Sequence, residues 1–507
     1  MIGLCFKSVA KTLETDKNAL EGDAMASHRH RYQWVCIFAV LLFSAPYIGA
    51  EAESTEPSRR PSTNIVILLV DDLGWGDVGY HNPEVATPNI DNIAASGVEF
   101  DRFYVNPTCS PTRASLLTGQ FSTTHGVNGP IQWHSEEGLP LEWQTLPGYL
   151  KRAGYQTHLV GKWHLGAAST AYWPQHRGFD SFYGHLNGGI GYFDHVFSGG
   201  LDWQKGGVTI REKGYTTQLI KRAAVDLIEN RSIEDEPLFL LVSFNAIHTP
   251  IEEPQHAGAE HQGRATLLRM IASLDRAVGE ILSSLLEQPW GKDTVIIFAS
   301  DNGGSSPKPW WIEMLIPPLR DGYSSNGVLK QGKGSVFEGG IRVPAAIWWP
   351  SKVESDQPLS EVVHIADVLP TLLDFMELKI PNVDGRSLKG VLLEGSPLEP
   401  RPFVVANFGS EAMIDWPWKI VREGSLPITP DFLKSDTWHL YNIESDPGEV
   451  VNLREEFPQR FERMRNNLLQ IPRRESVQFS TDGSWDTFGG HETRAPWAET
   501  ARGYDDN

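Results

Sequence analysis

Short apolar runs alternate along the chain with longer stretches in which apolar residues recur with the period of a helix. The runs are continuous and rich in β-branched residues, which is typical of strands buried on both faces. They lie at residues 65–70, 155–160, 238–244, 294–300 and 345–349. The helical stretches lie at residues 88–96 (with Thr87 as the predicted N-cap), 146–153 and 264–286. This order predicts an α/β fold with a large, mostly parallel sheet that is flanked by helices on both faces.

The pattern changes after about residue 400, where shorter apolar segments containing tryptophan replace the long strands. Three of these segments are predicted strands, at residues 403–407, 418–422 and 438–441. An amphipathic stretch at 458–469 predicts a closing helix. The length of the chain also favours two domains. We therefore expect a large domain at residues 63–399 and a small C-terminal domain with an antiparallel sheet, followed by a tail, at residues 400–507.

Residues 1–52 have the pattern of a leader segment. A basic cluster at 28–31 and an apolar core at 34–43, followed by small residues, match a secretory signal peptide with a start at Met25. The core is shorter than the roughly 20 apolar residues that span a bilayer, so we expect no stable membrane insertion. An N-terminal membrane anchor is the alternative. Residues 53–62 are a predicted polar linker, and the protein is expected to be secreted or periplasmic.

The charge of the chain restricts its partners. Its 507 residues include 44 Lys and Arg against 64 Asp and Glu, a formal net charge of −20. Nucleic acid is therefore not an expected partner, because phosphate binding needs a basic surface.

The three cysteines are Cys5 and Cys36 in the leader and Cys109 beyond it. Removal of the leader would leave one thiol, which excludes a disulfide scaffold.

Polar side chains follow two of the predicted strands at the point where each strand ends. Asp71 and Asp72 come directly after the strand at 65–70, and Asp301 and Asn302 directly after a later strand. Open α/β sheets place their binding sites at the carboxyl ends of their strands. One acidic pair at such a place is more often a helix cap or a solvated turn. Two pairs at equivalent strand ends favour a site for Ca²⁺ or Mg²⁺, which prefer oxygen ligands.

The stretch from Cys109 to Gly119 combines a lone cysteine, a proline two residues later and Arg113. Proline is common at the start of a helix, and the spacing of four residues places Arg113 on the same face as Cys109. The cysteine then lies at a helix N-terminus, where free N–H groups and the helix dipole favour an anion. The sequence thus predicts a site for a negatively charged group.

Further cationic or titratable residues lie next to glycine-rich or loop sequence: Lys162, His164, His248 and Lys333. Each alone is more often an exposed lysine or a histidine with a structural role. Together with Arg113 they describe a basic pocket that faces a cation. Such a pocket suits the binding and charge stabilisation of an oxyanion ester.

These motifs, taken in order, resemble the type I sulfatases. The Cys-x-Pro-x-Arg core with its Leu-Thr-Gly ending resembles the signature of that family. The remaining matching motifs are Asp71-Asp72, Gly161-Lys162-Trp163-His164, His248-Thr249-Pro250 and Asp301-Asn302-Gly303. The resemblance implies an alkaline-phosphatase-like α/β sandwich with a small C-terminal domain. It also implies that Cys109 is converted after translation to formylglycine by a formylglycine-generating enzyme.

The resemblance implies a role for each matching residue. One Ca²⁺ would be held by Asp71, Asp72, Cys109 in its modified form, Asp301 and Asn302. The implied catalytic residues are Cys109, Arg113, Lys162, His164, His248 and Lys333. Arg113 would stabilise the formylglycine hydrate, Lys162 and Lys333 would bind sulfate oxygens, and His164 would act as a base. His248 would protonate or stabilise the leaving alcohol oxygen.

Connecting segments resemble the arylsulfatase B branch, the N-acetylgalactosamine-4-sulfatases. They are Arg177-Gly178-Phe179-Asp180, Leu329-Lys330-Gln331-Gly332-Lys333 and Glu338-Gly339-Gly340. The resemblance implies a sulfated carbohydrate substrate, of the galactose or N-acetylgalactosamine sulfate type. Residues 305–325, with Trp310 and Trp311, form a segment that would either contact a sugar ring or pack against the sheet edge.

Two alternatives remain open from the sequence. One is a phosphodiesterase or phosphonate monoester hydrolase on the same scaffold. The other is a non-catalytic binder of sulfated glycans. Such a binder would be expected to lack a metal ligand or a catalytic residue, and the sequence retains all of them.

Overall fold

The computed structural model describes residues 63–254, 263–305, 323–353, 357–407, 409–424 and 436–474. The strands, in chain order, are β1 (Asn64–Val70), β2 (Val98–Tyr104), β3 (Gln156–Lys162), β4 (Ser181–His185), β5 (Val196–Phe197), β6 (Gly200–Leu201), β7 (Gln204–Lys205), β8 (Val208–Thr209), β9 (Leu238–Ser243), β10 (Thr294–Ser300), β11 (Ala345–Trp348), β12 (Leu359–His364), β13 (Phe403–Asn407), β14 (Ser410–Asp415), β15 (Trp418–Gly424) and β16 (Asp436–Asn442). The helices are α1 (Pro88–Ser96), α2 (Cys109–Thr118), α3 (Ser122–His125), α4 (Leu146–Arg152), α5 (Thr216–Glu229), α6 (Arg264–Leu286), α7 (Glu338–Ile341), α8 (Val368–Phe375), α9 (Lys389–Leu393) and α10 (Pro458–Gln470).

A ten-stranded sheet forms the centre of the fold, with the order β12-β2-β11-β10-β1-β9-β3-β4-β7-β8. The five consecutive strands from β10 to β4 are parallel, whereas β11 and β7 run against their neighbours. Alternate residues of β1 enter two different cores, with Ile65 and Ile67 in one and Val66 and Leu68 in the other. The predicted mostly parallel sheet with both faces covered is therefore confirmed.

A second sheet of four antiparallel strands, β13-β14-β15-β16, follows the large one. One of its faces packs against Phe337 and Tyr104, which belong to the larger part of the fold. Its other face packs against Met464 and Leu468 of α10. The predicted antiparallel C-terminal sheet and closing helix are confirmed, and the predicted boundary at residue 400 stays a prediction.

The sequence pattern located some elements to the residue and missed others. The helix at 264–286 and the strand at 294–300 have the predicted bounds, whereas β2 and α5 were not predicted. The leader, the linker and most of the 305–325 segment with its two tryptophans lie outside the described residues. No helix within the described ranges is long and apolar enough to cross a membrane.

Candidate active site

The register of the parallel strands brings the two predicted acidic pairs together. Val70 of β1 lies opposite Ser300 of β10, so Asp71 and Asp301 leave adjacent strands at the same level. The backbone continues this pairing, since the Asp301 amide donates to the Val70 carbonyl at 2.9 Å. On the other side of β1, β9 and then β3 end at the same edge, and Lys162 is the last residue of β3. Four neighbouring strand ends thus form the floor of one site.

Helix α2 lies over this floor. Cys109 is its first residue, so the cysteine is at the predicted N-terminal position. Every residue of the helix is buried. The helix ends at Gly119, whose φ of +68° is a left-handed conformation that glycine adopts without strain. The Ser110 hydroxyl donates to the His164 carbonyl at 2.8 Å, which ties the first turn of α2 to the segment after β3.

Arg113 connects the helix to the strand ends. Its Nε and Nη2 donate to Asp301 Oδ2 at 3.0 and 2.7 Å. Its Nη1 donates to the Lys162 carbonyl at 3.0 Å and to Ser243 Oγ at 2.5 Å. Four donated bonds from a side chain that is 3% exposed fix the guanidinium and therefore the orientation of α2. Ser243, the last residue of β9, was not predicted as a site residue.

The other two site carboxylates are each paired with a lysine. Lys162 Nζ lies 2.5 Å from Asp71 Oδ2, with both side chains fully buried. Lys333 Nζ lies 2.7 Å from Asp72 Oδ1, and Asn302 Nδ2 donates to the same oxygen at 2.7 Å. Burial raises the pKa of Asp72, but the charges of Lys333 and His248 outweigh it and hold this pKa below its usual range. Each lysine therefore contacts a carboxylate in the floor of the site.

Two oxygens of this cluster suit a divalent cation. Asp71 Oδ1 and Asn302 Oδ1 are buried and have no hydrogen-bond partner among the described residues. Burial, and next the charge of Asp301, raise the pKa of Asp71 well above its usual value. Ligand atoms of Asp71, Asp72 and His248 also lie within 4.8 Å of one another. Crowded carboxylates with unpaired oxygens are the environment that a hard cation stabilises, so the residues fit a calcium or magnesium ion.

The thiol of Cys109 is poorly suited to act as a nucleophile itself. It is 2% exposed, and burial raises its pKa even though Lys162 and Lys333 act in the opposite direction. A thiol attacks as its thiolate, and a raised pKa reduces that form at neutral pH. The cysteine side chain therefore stays protonated at neutral pH.

The hydrogen bond of His164 determines which ring nitrogen carries the proton. His164 Nε2 lies 3.1 Å from the Ile131 carbonyl, which only accepts, so Nε2 is the protonated nitrogen. Nδ1 is then a lone-pair acceptor, and it has no partner among the described residues. Burial, with the nearby charge of Lys162, lowers the His164 pKa well below its usual value. The ring is therefore a neutral base at neutral pH.

His248 lies next to Asp72. Its Nδ1 donates to the carbonyl of Thr249 at 2.7 Å, and its Nε2 lies 3.9 Å from Asp72 Oδ2. Burial, followed by the charge of Lys333, lowers the His248 pKa to about 3. This imidazole is also neutral at neutral pH, whereas the pKa of Lys333 is raised by Asp72 against the effect of burial. Lys333 therefore keeps its proton.

A glycine pair packs against both histidines and was not predicted from the sequence. A Cβ on Gly188 would lie 2.6 Å from His164 Cε1, and one on Gly189 would lie 3.0 Å from His248 Nδ1. The preceding backbone is held by Asp202, whose carboxylate accepts from the Leu186 amide at 3.1 Å. The same carboxylate accepts the backbone and side-chain N–H groups of Asn187 at 2.9 and 2.8 Å. The Gly-Gly dipeptide was the available sequence signal.

All ten predicted site residues lie in this one region. Carboxylates, cations and histidines are linked by the contacts above, and the charges of Lys162 and Lys333 act on the Cys109 thiol. The predicted roles themselves, including a metal-bound oxygen from modified Cys109, stay predictions. The arrangement combines an anion-binding set of cations with a neutral base and a set of oxygens that fits a divalent cation.

Comparisons with known proteins give a consistent result. A family model described as Sulfatase matches residues 63–378, and one described as N-sulphoglucosamine sulphohydrolase, C-terminal, matches residues 331–473. The N-acetylgalactosamine-6-sulfatase of Rattus norvegicus is 36% identical over 358 residues, covering 66% of this chain and 66% of that protein. Arylsulfatase A of Homo sapiens is 33% identical over 436 residues, covering 77% of this chain and 83% of that protein. The crystal structure of Ps i-CgsB in complex with k-i-k-neocarrahexaose aligns with a TM-score of 0.69 at 27% identity, over 88% of this chain and 96% of that one.

Proposed function

This chain belongs to the sulfatase family, and we propose that it hydrolyses the sulfate ester of a sulfated carbohydrate. The predicted membership of the type I sulfatases and the predicted alkaline-phosphatase-like fold with a small C-terminal sheet are both confirmed. The observation that carries the proposal is the convergence of three buried or half-buried cations on the strand ends beneath Cys109, where Lys162, Lys333 and Arg113 contact Asp71, Asp72 and Asp301. A sulfate ester, with one negative charge spread over its oxygens, suits such a site.

The substrate class is supported by what the similar proteins act on or bind. The relatives include N-acetylgalactosamine-6-sulfatases and arylsulfatases A and J, and the Ps i-CgsB structure contains a neocarrahexaose. We infer a galactose or N-acetylgalactosamine sulfate as the substrate unit. The narrower resemblance to the N-acetylgalactosamine-4-sulfatases stays a prediction.

We propose that Cys109 acts after its conversion to formylglycine by a separate maturation enzyme. Addition of water to the aldehyde gives a geminal diol with two hydroxyl groups. One hydroxyl oxygen attacks sulfur and loses its proton, the ester S–O bond breaks, and the alcohol leaves with a proton. The second hydroxyl then gives up its proton, the C=O bond re-forms, and inorganic sulfate is expelled. The raised pKa of the unmodified thiol supports this assignment, because a thiolate would be scarce and its sulfated form would have no equivalent way to release sulfate.

The remaining residues have roles that follow from their protonation. Lys162 and Lys333 bind the sulfate oxygens, and Arg113 stabilises charge on the diol. His164 is the base, because its Nδ1 is an acceptor without a partner among the described residues. His248 faces the leaving oxygen and donates a proton only once the bound anion has raised its low pKa, whereas Lys333 carries a proton already.

We further propose that Asp71, Asp72, Asp301 and Asn302, with an oxygen of modified Cys109, hold one Ca²⁺. The bound ion would supply positive charge for the sulfate oxygens. This proposal is supported by the raised pKa of Asp71 and by the two buried oxygens that have no hydrogen-bond partner in the described part of the chain. The basic and apolar stretch within residues 1–52 supports export of the protein.

The function is tested on the full chain purified from a host that contains the maturation enzyme. We expect turnover of phenyl sulfate to exceed turnover of phenyl phosphate, and a peptide containing position 109 to be about 18 Da lighter than the cysteine form. Cys109→Ala should abolish sulfatase turnover without lowering the melting temperature. Near-normal sulfate turnover by Cys109→Ala would overturn the mechanism, and faster turnover of phosphate than of sulfate would overturn the substrate class.

A further inference from the structure

A buried cluster of three ionisable side chains joins the C-terminal sheet to the segment that carries Lys333. Lys419 of β15 has its Nζ 2.9 Å from Glu338 Oε1 and 2.9 Å from Glu449 Oε1, and all three side chains are fully buried. Glu449 Oε2 accepts the Glu338 backbone amide at 2.7 Å, and the hydroxyl of Tyr104 donates to Glu338 Oε2 at 2.8 Å. Glu338 begins α7, five residues after Lys333.

The C-terminal sheet also contacts residues next to Lys333. Asn407, the last residue of β13, donates from Nδ2 to the carbonyl of Gly334 at 2.7 Å. Lys330 Nζ donates to the carbonyl of Glu449 at 3.0 Å and lies 3.2 Å from the hydroxyl of Tyr441. The segment from 330 to 338 is therefore held by the sheet on both sides of Lys333.

The large domain also bonds the same segment, through its backbone and through Asn326, whose Nδ2 donates to the Gln331 carbonyl at 2.9 Å. The Lys333 amide donates to the Gly304 carbonyl at 3.1 Å, and the Gly334 amide donates to the Pro107 carbonyl at 2.7 Å. Pro107 and Gly304 belong to the loops that lead to Cys109 and follow Asn302. The Gly334 peptide thus lies between the loop before the proposed nucleophile and Asn407 of the C-terminal sheet.

We propose that the C-terminal sheet positions the Lys333 ammonium for sulfate binding, with Asn407 and Lys419 as positioning residues. This inference rests on the proposed function, since it assumes that Lys333 contacts the sulfate group. Neither residue contacts the acidic cluster through any contact described above, so each acts through the backbone at 330–338. A buried, hydrogen-bonded charge cluster has one favourable geometry, whereas an apolar contact of the same size tolerates sliding.

The decisive experiment is a double-mutant cycle on the full-length matured enzyme. Asn407→Ala removes the hydrogen bond to the Gly334 carbonyl, and this variant is expected to fold. Lys333→Ala removes the ammonium group that the sheet is proposed to position. We expect Asn407→Ala to lower kcat/KM for 4-nitrophenyl sulfate by about tenfold, because displacements below 1 Å already reduce rates strongly. In the Lys333→Ala background the same change should have an effect below about twofold.

A matched control contacts the same sheet. Arg473 forms a two-bond ion pair with Glu411 of β14 at 2.7 and 3.1 Å and does not contact the 330–338 segment through any bond described. Arg473→Met should lower the melting temperature and leave kcat/KM unchanged. Lys419→Met should reduce kcat/KM more than Asn407→Ala, with partial recovery in Lys419→Arg.

Two results would overturn the positioning role. One is an unchanged kcat/KM in Asn407→Ala, and the other is an equal loss in both backgrounds, which indicates a general structural effect. If the wild-type enzyme lacks sulfatase turnover, the proposed function fails. The positioning role is then tested by the rate at which an acylating reagent modifies the Lys333 amine, with peptide mass spectrometry as the readout. Faster acylation in Asn407→Ala than in Arg473→Met supports positioning, and equal rates refute it.

Discussion

Gly188→Ala tests how closely the geometry of the site limits the reaction. The added Cβ would lie 2.6 Å from His164 Cε1 and 2.7 Å from its Nε2. Ordinary carbon contacts are about 3.5–4.0 Å, so either the ring or the glycine backbone must move by about 1 Å. The ring is buried and bonded to the Ile131 carbonyl, and the glycine follows backbone held by Asp202. A displacement of about 1 Å at a proposed base is expected to lower kcat about 100-fold.

The assay is steady-state turnover of 4-nitrophenyl sulfate, together with the melting temperature. The stability cost should stay within the roughly 1–3 kcal/mol that overpacking produces. Gly189→Ala, with its Cβ 3.0 Å from His248 Nδ1, should have a smaller effect on kcat. Gly390→Ala is the matched control, because its Cβ would be 3.5 Å from the nearest atom. A kcat within twofold of the wild type in Gly188→Ala would refute a fixed position for His164.

Three other predictions concern stability. Asp275→Ala should lower the free energy of unfolding in urea by about 2 kcal/mol, because its carboxylate accepts the α1 amides of Asn89 and Ile90 at 3.0 and 2.9 Å; an unchanged urea midpoint would contradict this. Burial raises the pKa of Glu449 from 4.5 to about 7, so the stability that its protonated form contributes is present below pH 4.5 and is lost as pH rises through about 7. Glu449→Gln should therefore lose less stability between pH 5 and pH 8 than the wild type does. Calcium at one hundred times its Kd should stabilise the wild type by about 2.7 kcal/mol, seen as a higher melting temperature, and EDTA should reverse the rise. An equal rise in Asp71→Asn would argue against the proposed site.

The sequence predicts the parts of the site that depend on strand ends. The buried runs before Asp71 and Asp301 are long and continuous, so their ends are easily located, and parallel pairing then brings them to one edge. The cations were predictable only as a set, because each alone is more often an exposed or structural side chain. The proline two residues after Cys109 likewise located the cysteine at the start of α2.

The sequence did not predict which side chains from distant segments contact each other. Thr87 occupies the N-cap position of α1 as predicted, yet it makes no capping bond, and Asp275 supplies the acceptor from α6. Asp202 contacts Asn187 across a hairpin, and Lys419 meets Glu338 from a strand about 80 residues later. Local patterns carry no information about such partners, because pairing depends on how the elements pack. The reversed direction of β11 has the same origin.

The charges of the site explain how an acidic chain can hold an anion. Three carboxylates and three cations are matched one to one, as Asp71 with Lys162, Asp72 with Lys333 and Asp301 with Arg113. These six groups sum to zero, so by themselves they do not offset the field of a chain with a net charge of −20. A divalent cation bound as proposed adds two positive charges beside the oxygens that lack hydrogen-bond partners within the described ranges. The negative charge of a bound sulfate ester then offsets part of the charge of the cation, so each bound ion increases the affinity for the other. Calcium binding and sulfate binding are therefore expected to be coupled, which a site built from lysines and arginine alone would not require.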